Sequence, residues 1–214
     1  MFDLSNSEEV NAWRVLYKIE DDERITIAQY LDGGPFNLNQ CVNDNYPEYE
    51  LPGGYLHSFC LTEHYFVIPT STFILDVCKT FVTEPDDPIM PFFLYNYNFT
   101  TDLPTRFVVI SRDTNEVVGE FSTPEGLFIT HQVHTLLLPM KTPLSGVSSG
   151  ESRTVVERFV VNMSDWTLIE RIDLYPSGYQ MVEFSTINYD LYNAKPYRYA
   201  YMVGFDPVPN SLIK

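Results

Sequence analysis

Of the residues in this 214-residue chain, the four histidines are best suited to do chemistry, and they fall in two pairs: His57/His64 and His131/His134. Neutral imidazole is a good ligand for a divalent transition metal. In strands, residues seven or three apart point to opposite faces. One member of each pair can then turn to a shared interior while the other turns away. Two imidazoles from two strands begin a metal site without completing it, because three or four protein ligands are the rule. On spacing alone, ordinary core or surface histidines are the stronger expectation. Glu183 comes next, inside the apolar-flanked Met181-Val-Glu-Phe. A carboxylate there either faces solvent or hydrogen-bonds something buried, such as a metal-bound imidazole, and the pattern favours solvent.

Other motifs carry less. Gly146-Val-Ser-Ser-Gly150 matches the G-x-S-x-G elbow, but that elbow needs a strand before it, a helix after it and a later histidine. Here a polar loop precedes it and all four histidines come before Ser148. Cys41, Cys60 and Cys78 are odd in number and lack CxxC spacing. A disulfide framework and a zinc knuckle are both disfavoured, and a reducing compartment, the cytoplasm, is expected. Asn98-Phe-Thr and Asn162-Met-Ser match the glycosylation sequon. With no basic-then-apolar leader at the first residues, the matches are expected to go unused.

Charge excludes further classes. Twenty-nine acidic residues against 13 basic ones give a net charge of −16. Nucleic acid is no partner for such a chain, and charge alone does not dock it on anionic lipid. Hydrophobic residues make up 44%, enough for a packed core, and Tyr and Phe number 15 each. That aromatic density suits a pocket for a long apolar ligand, or more plainly an aromatic core.

The elements that must position these groups read as β. Short β-rich runs occur at residues 25–30, 55–59, 65–69, 73–77, 92–97, 106–111, 117–121, 127–133, 155–162, 167–174, 180–184 and 197–204. Turn residues separate them: Asp32-Gly-Gly-Pro, Pro52-Gly-Gly, Glu84-Pro-Asp-Asp-Pro, Asp113-Thr-Asn and Pro176-Ser-Gly. Each has a mechanism, φ > 0 for Gly and Asn and a fixed φ for Pro. Residues 8–20 suit a short helix or an alternating strand. Strands at such spacing make a sandwich, barrel or propeller. Residues 106–121 read as a β-hairpin, and residues 139–152 as a flexible junction within a single domain spanning 1–214.

Four ordered stretches carry a resemblance. Pro52-Gly-Gly-Tyr-Leu-His-Ser-Phe-Cys-Leu-Thr-Glu-His-Tyr-Phe-Val resembles the HSFGLTENYFV motif of the carotenoid cleavage oxygenases. Pro104-Thr-Arg-Phe-Val-Val-Ile-Ser-Arg-Asp-Thr-Asn-Glu-Val-Val-Gly is similar to that family's PTRFxVIDRxTGEVVG hairpin. Phe128-Ile-Thr-His stands where the family has FxFHHINAYE. Glu183-Phe-Ser-Thr-Ile-Asn-Tyr, then Lys195-Pro-Tyr-Arg-Tyr-Ala-Tyr, resembles ELPRINY and GKPYRYAYG. The resemblance implies an all-β, seven-bladed propeller with Fe(II) on its axis. Four histidines hold the metal there, and outer glutamates hydrogen-bond three of them. It implies O2-dependent cleavage of an apolar carotenoid or retinoid, with possible peripheral membrane contact. By position His57 and His131 match two iron ligands and Glu183 matches an outer carboxylate, whereas His64 and His134 match none. Family members are more than twice as long, so the chain reads as a truncated member with several blades missing. That leaves two readings, an iron oxygenase or an inactive fragment that at most binds apolar polyenes.

Overall fold

The computed structural model describes residues 2–6, 9–37, 53–75, 97–99, 103–133, 136–140, 156–174, 181–205 and 208–214. At 2–6, 9, 75, 97–99, 128–133, 136–140 and 181 the description is of backbone only. The chain divides into two compact units, Met1–Tyr55 with Thr72–Asn98, and Leu56–Ser71 with Phe99–Lys214.

In the first unit, β1 (Phe2–Asn6), β2 (Glu9–Glu20) and β3 (Glu23–Asn37) form an antiparallel sheet in that order. The strand reading of residues 8–20 therefore holds over the helical one. Asp21 and Asp22 join β2 to β3 with φ of 51° and 64°, the pair of left-handed residues that a two-residue hairpin turn requires. The turn expected at Asp32-Gly-Gly-Pro does not form, because these residues continue β3. The glycines serve close approach instead. A Cβ on Gly33 would lie 2.5 Å from the Gly53 nitrogen, and Gly34 has φ of 107°. Asp32, 2% exposed, pairs with Arg14 Nε at 2.7 Å, and the same guanidinium donates to the Gly54 carbonyl. β6 (Phe73–Leu75) pairs with β7 (Tyr97–Phe99), and Gly54 bridges Ile74.

The second unit holds three successive antiparallel sheets. β4 (Cys60–Leu61), β5 (Tyr65–Thr70), β8 (Arg106–Ser111) and β9 (Val117–Ser122) form the first. β10 (Phe128–Val133), β11 (Leu136–Met140), β12 (Glu157–Val161) and β13 (Leu168–Asp173) form the second. β14 (Met181–Thr186), β15 (Tyr201–Phe205) and β16 (Pro209–Ile213) form the third. In each sheet the strands lie in chain order, with β6 and β7 intervening between β5 and β8 in the first, and such antiparallel sheets are the blade form of a propeller. The short α1 (Tyr189–Tyr192), capped by Asn188, is the one helix among the described residues. No helix among the described residues is long and apolar enough to cross a membrane.

Two expected strands differ. Residues 55–59 are irregular, with a bend at His57, because the backbone pairing of Gly54 and Tyr55 with β6 ends there. Residues 197–200 lead into β15 without joining it. Residues 92–96 and 141–152, with Ser148, Cys41, Cys78 and His134, lie outside the described residues.

The 106–121 hairpin is β8 and β9, and it is the centre of this unit. Phe107, Val108, Val109 and Ile110 are each at most 1% exposed, so both faces of β8 are covered. Phe107 stacks on Phe121 (centroids 4.6 Å, 3° between planes) and meets Phe159 of β12 edge-on at 5.7 Å. Thr105 clips the next segment, since its Oγ1 accepts from Leu127 N at 2.7 Å and donates to Leu127 O at 3.2 Å. Arg112 reaches across the blade tip and donates to Thr62 O and Glu63 O at 2.6 and 2.9 Å. Arg171 holds Glu125 and the 4%-exposed Glu157 together, the latter at 2.6 Å, and lies 5.2 Å over Phe159. Burial alone would lower the Arg171 pKa, but the two carboxylates outweigh it and raise it.

Gly119 is required by Trp166. A Cβ at 119 would lie 2.1 Å from Trp166 Cδ1, and the indole packs edge-on against Tyr65 at 5.4 Å. Gly119→Ala should therefore destabilise the protein by about 1–3 kcal/mol, the usual cost of overpacking. This outweighs the ~0.5–1 kcal/mol that replacing a strand glycine returns. A lowered urea midpoint at unchanged slope checks it, and an unchanged midpoint would refute the Trp166 contact.

Burial pushes the Cys60 thiol up to about 12. The folded state thus disfavours thiolate, and this stability is lost as pH rises past the unfolded thiol value, ~8.5. At that pH, iodoacetamide should leave Cys60 unmodified in native protein and modify it after denaturation, read site by site by mass spectrometry.

Candidate functional site

The three candidate residues fall in the second unit, on or beside the first strand of each of its sheets. His57 occupies the exposed bend three residues before Cys60 opens β4. His131 lies in β10, where its backbone pairs with Leu138 of β11. Glu183 lies half-buried in β14, opposite Val203 of β15. β10 runs beside both β14 and β4. The topology therefore brings the strand bearing His131 near both the strand bearing Glu183 and the strand that follows His57.

Both strand positions border irregularities. The β10–β11 register shifts between Ile129 and His131, and the β14–β15 register shifts between Glu183 and Thr186. Such bulges re-aim side chains and gather next to functional sites. At the second, Phe184 adopts φ of 57° while 62% exposed. A bulky side chain in left-handed backbone costs about 1–2 kcal/mol, a cost that exposure does little to offset.

His64 has a different setting from His57. It closes the β4–β5 turn, its carbonyl accepts from Arg112 N at 2.8 Å, and its Nδ1 lies 3.9 Å from Asp113 Oδ2 at the tip of the β8–β9 hairpin. The strand alternation expected for His57 and His64 does not apply, since neither is in a strand and both are exposed.

Among the described residues, no group of three or more His, Cys, Asp or Glu converges to hold a metal ion. His57 and His131, which the resemblance puts at ligand positions, are fewer than the three or four protein ligands a metal site ordinarily needs. Among the described residues the donor set therefore does not fit a complete Fe(II) site.

The family model for the retinal pigment epithelial membrane protein, RPE65, matches residues 12–136. The chain belongs to that family. A carotenoid isomerooxygenase of Galleria mellonella is 24% identical over 211 residues, covering 85% of this chain and 40% of the relative. Among solved structures, a mutant of the Synechocystis apocarotenoid oxygenase aligns with a TM-score of 0.55 at 15% identity, covering 98% of this chain and 41% of that one. A chimera of that oxygenase with RPE65 gives 0.59 at 16% identity, covering 95% and 40%. The lignostilbene dioxygenase of Pseudomonas brassicacearum gives 0.53 at 16%, covering 93% and 42%. These structures share the fold, and the chain is an incomplete propeller of their kind. It spans about 40% of the length of the relatives it matches.

Sequence reading missed how much of the PTRF-type motif is structural. Thr105, Arg112 and Gly119 clip, tie and seat the blade, as described above. The signal was available in residue type, because a buried threonine before a strand and a glycine inside one each need a packing reason.

Phe184→Gly tests the bulge. Glycine in an ordinary strand position costs about 0.5–1 kcal/mol. At Phe184 relief of the left-handed backbone should cancel or exceed that cost, so the thermal midpoint holds or rises. A fall worth more than about 1 kcal/mol would mean that Phe184 carries packing instead.

Proposed function

We propose that this 214-residue chain is by itself a catalytically inactive part of a polyene oxygenase, able at most to bind an apolar carotenoid or retinoid. In a longer chain the same residues would supply His57 and His131 as two imidazoles around Fe(II). Glu183 would be the carboxylate that fixes the tautomer of one such imidazole. Oxidative cleavage of a conjugated double bond by O2 would belong to that longer chain. The cysteine pattern favours the cytoplasm, and a substrate this apolar would favour contact with a bilayer surface.

One observation carries the reading. The strand of His131 lies near both the strand of Glu183 and β4, yet no group of three or more metal-ligating side chains converges among the described residues. The scaffold of a site is supported and its full ligand set is not. The coverage of about 40% of the relatives' length agrees, since blades that are absent take their ligands with them.

Iron content after anaerobic Fe(II) loading tests the inactive half. Well below one iron per monodisperse chain is expected, with no aldehyde released from β-carotene and O2. Near one iron per chain, lost in His57→Ala, together with aldehyde release would overturn it and favour a self-sufficient oxygenase. Retinol fluorescence tests the binding half. A saturable enhancement supports it, and none at all removes it.

A further inference from the structure

The second unit holds a cavity of about 190 Å³ between the β12–β13 and β15–β16 strands, lined by none of the candidate iron residues. Its floor is apolar and buried: Val156 at 2% exposure, Met202 at 6% and Ile213 at 4% belong to one core cluster. Its rim is cationic. Arg158 of β12, Arg198 before β15 and Lys214 after β16 line it, and among the described residues no Asp or Glu does.

Arg14, Lys18, Arg106 and Arg171 each hold a carboxylate, whereas Arg158, Arg198 and Lys214, like Arg24, Arg112 and Lys195, hold none among the described residues. What sets the rim apart is that three such cations line one cavity. Arg198 Cζ stands 5.4 Å from the Tyr199 ring centroid and Lys214 Nζ stands 4.1 Å from it. Two like charges thus share one ring, an arrangement that an anion between them would relieve. In a chain of net charge −16 the general field repels anions. That field is screened beyond about 8–10 Å in ordinary salt, so at the rim the local cations decide.

We infer that this cavity binds a small apolar carboxylic acid as its anion. The carboxylate meets Arg158 and Arg198, with Lys214 as a further counter-charge, and a ring-sized apolar body rests on the Met202 floor. An apolar cavity of ~150 Å³ accommodates benzene, so this one has room for the ring of a monocyclic aryl acid. Arginine suits the task because its planar fork matches a carboxylate. The site is independent of the iron and polyene reading and stands if that reading fails.

Calorimetric titration of the 214-residue chain with cinnamate tests it, with cinnamyl alcohol and inorganic phosphate as comparisons. Saturable binding of cinnamate is expected, weakening as KCl rises from about 0.05 to about 0.3 M. Arg158→Gln and Arg198→Gln should each weaken it by about tenfold, the worth of one charge-assisted hydrogen bond, with melting temperatures unchanged because both side chains are exposed. Ala200→Leu, which projects carbon into the cavity, should abolish binding while circular dichroism stays native. Equal affinity for cinnamyl alcohol, or unchanged cinnamate binding in the Arg158→Gln/Arg198→Gln double variant, would refute carboxylate recognition. Phosphate binding as tightly as cinnamate would refute the role of the apolar floor.

Discussion

The second unit depends on the burial of β8 on both faces. An antiparallel strand commonly has one face in water, but Phe107, Val108, Val109 and Ile110 are all sealed. A strand so sealed must have another layer against it, and the Phe107–Phe159 contact identifies one layer as the β10–β13 sheet. The polar devices around β8 then follow. Buried Thr105 has to find partners for its hydroxyl and takes both backbone groups of Leu127, which fixes where β10 begins. Glu157 is nearly sealed from water and would be costly alone. Arg171 neutralises it and ties Glu125 from the preceding segment into the same network.

That constraint explains why the hairpin was legible and its surroundings were not. Residues 106–121 alternate poorly, but their continuous apolar run and polar turn fit a strand buried on both sides. Asp32-Gly-Gly-Pro failed as a turn for the opposite reason. Glycine has two uses, positive φ and close approach, and sequence does not say which applies. At Gly33 the partner backbone is Gly53, twenty residues away, so the cause is tertiary. The 55–59 run failed because β propensity does not supply a pairing partner, and these residues belong to no sheet.

The candidate site was legible in a narrower sense. The family motifs single out His57, His131 and Glu183, and the topology sets the strands of two of them near each other. The bulges at both positions, and the left-handed Phe184 within the second, have no trace in residue type. The cationic cavity was not legible at all. Arg158, Arg198 and Lys214 are far apart in sequence and meet only because β13 ends where β15 begins to pair with β16. In a chain this acidic, scattered cations read as solvated surface.

The two candidate sites also differ in what they need from the fold. An iron centre on a propeller axis draws one ligand from each of several blades, so removing blades removes ligands in proportion, and affinity falls steeply because each lost imidazole leaves the metal open. A cavity between two adjacent sheets needs only those two sheets. Val156, Met202 and Ile213 come from neighbouring strands and pack as one cluster within the second unit. The cluster that floors the cavity is thus completed by two adjacent sheets, whereas a metal centre on the axis would need ligands from more of the ring.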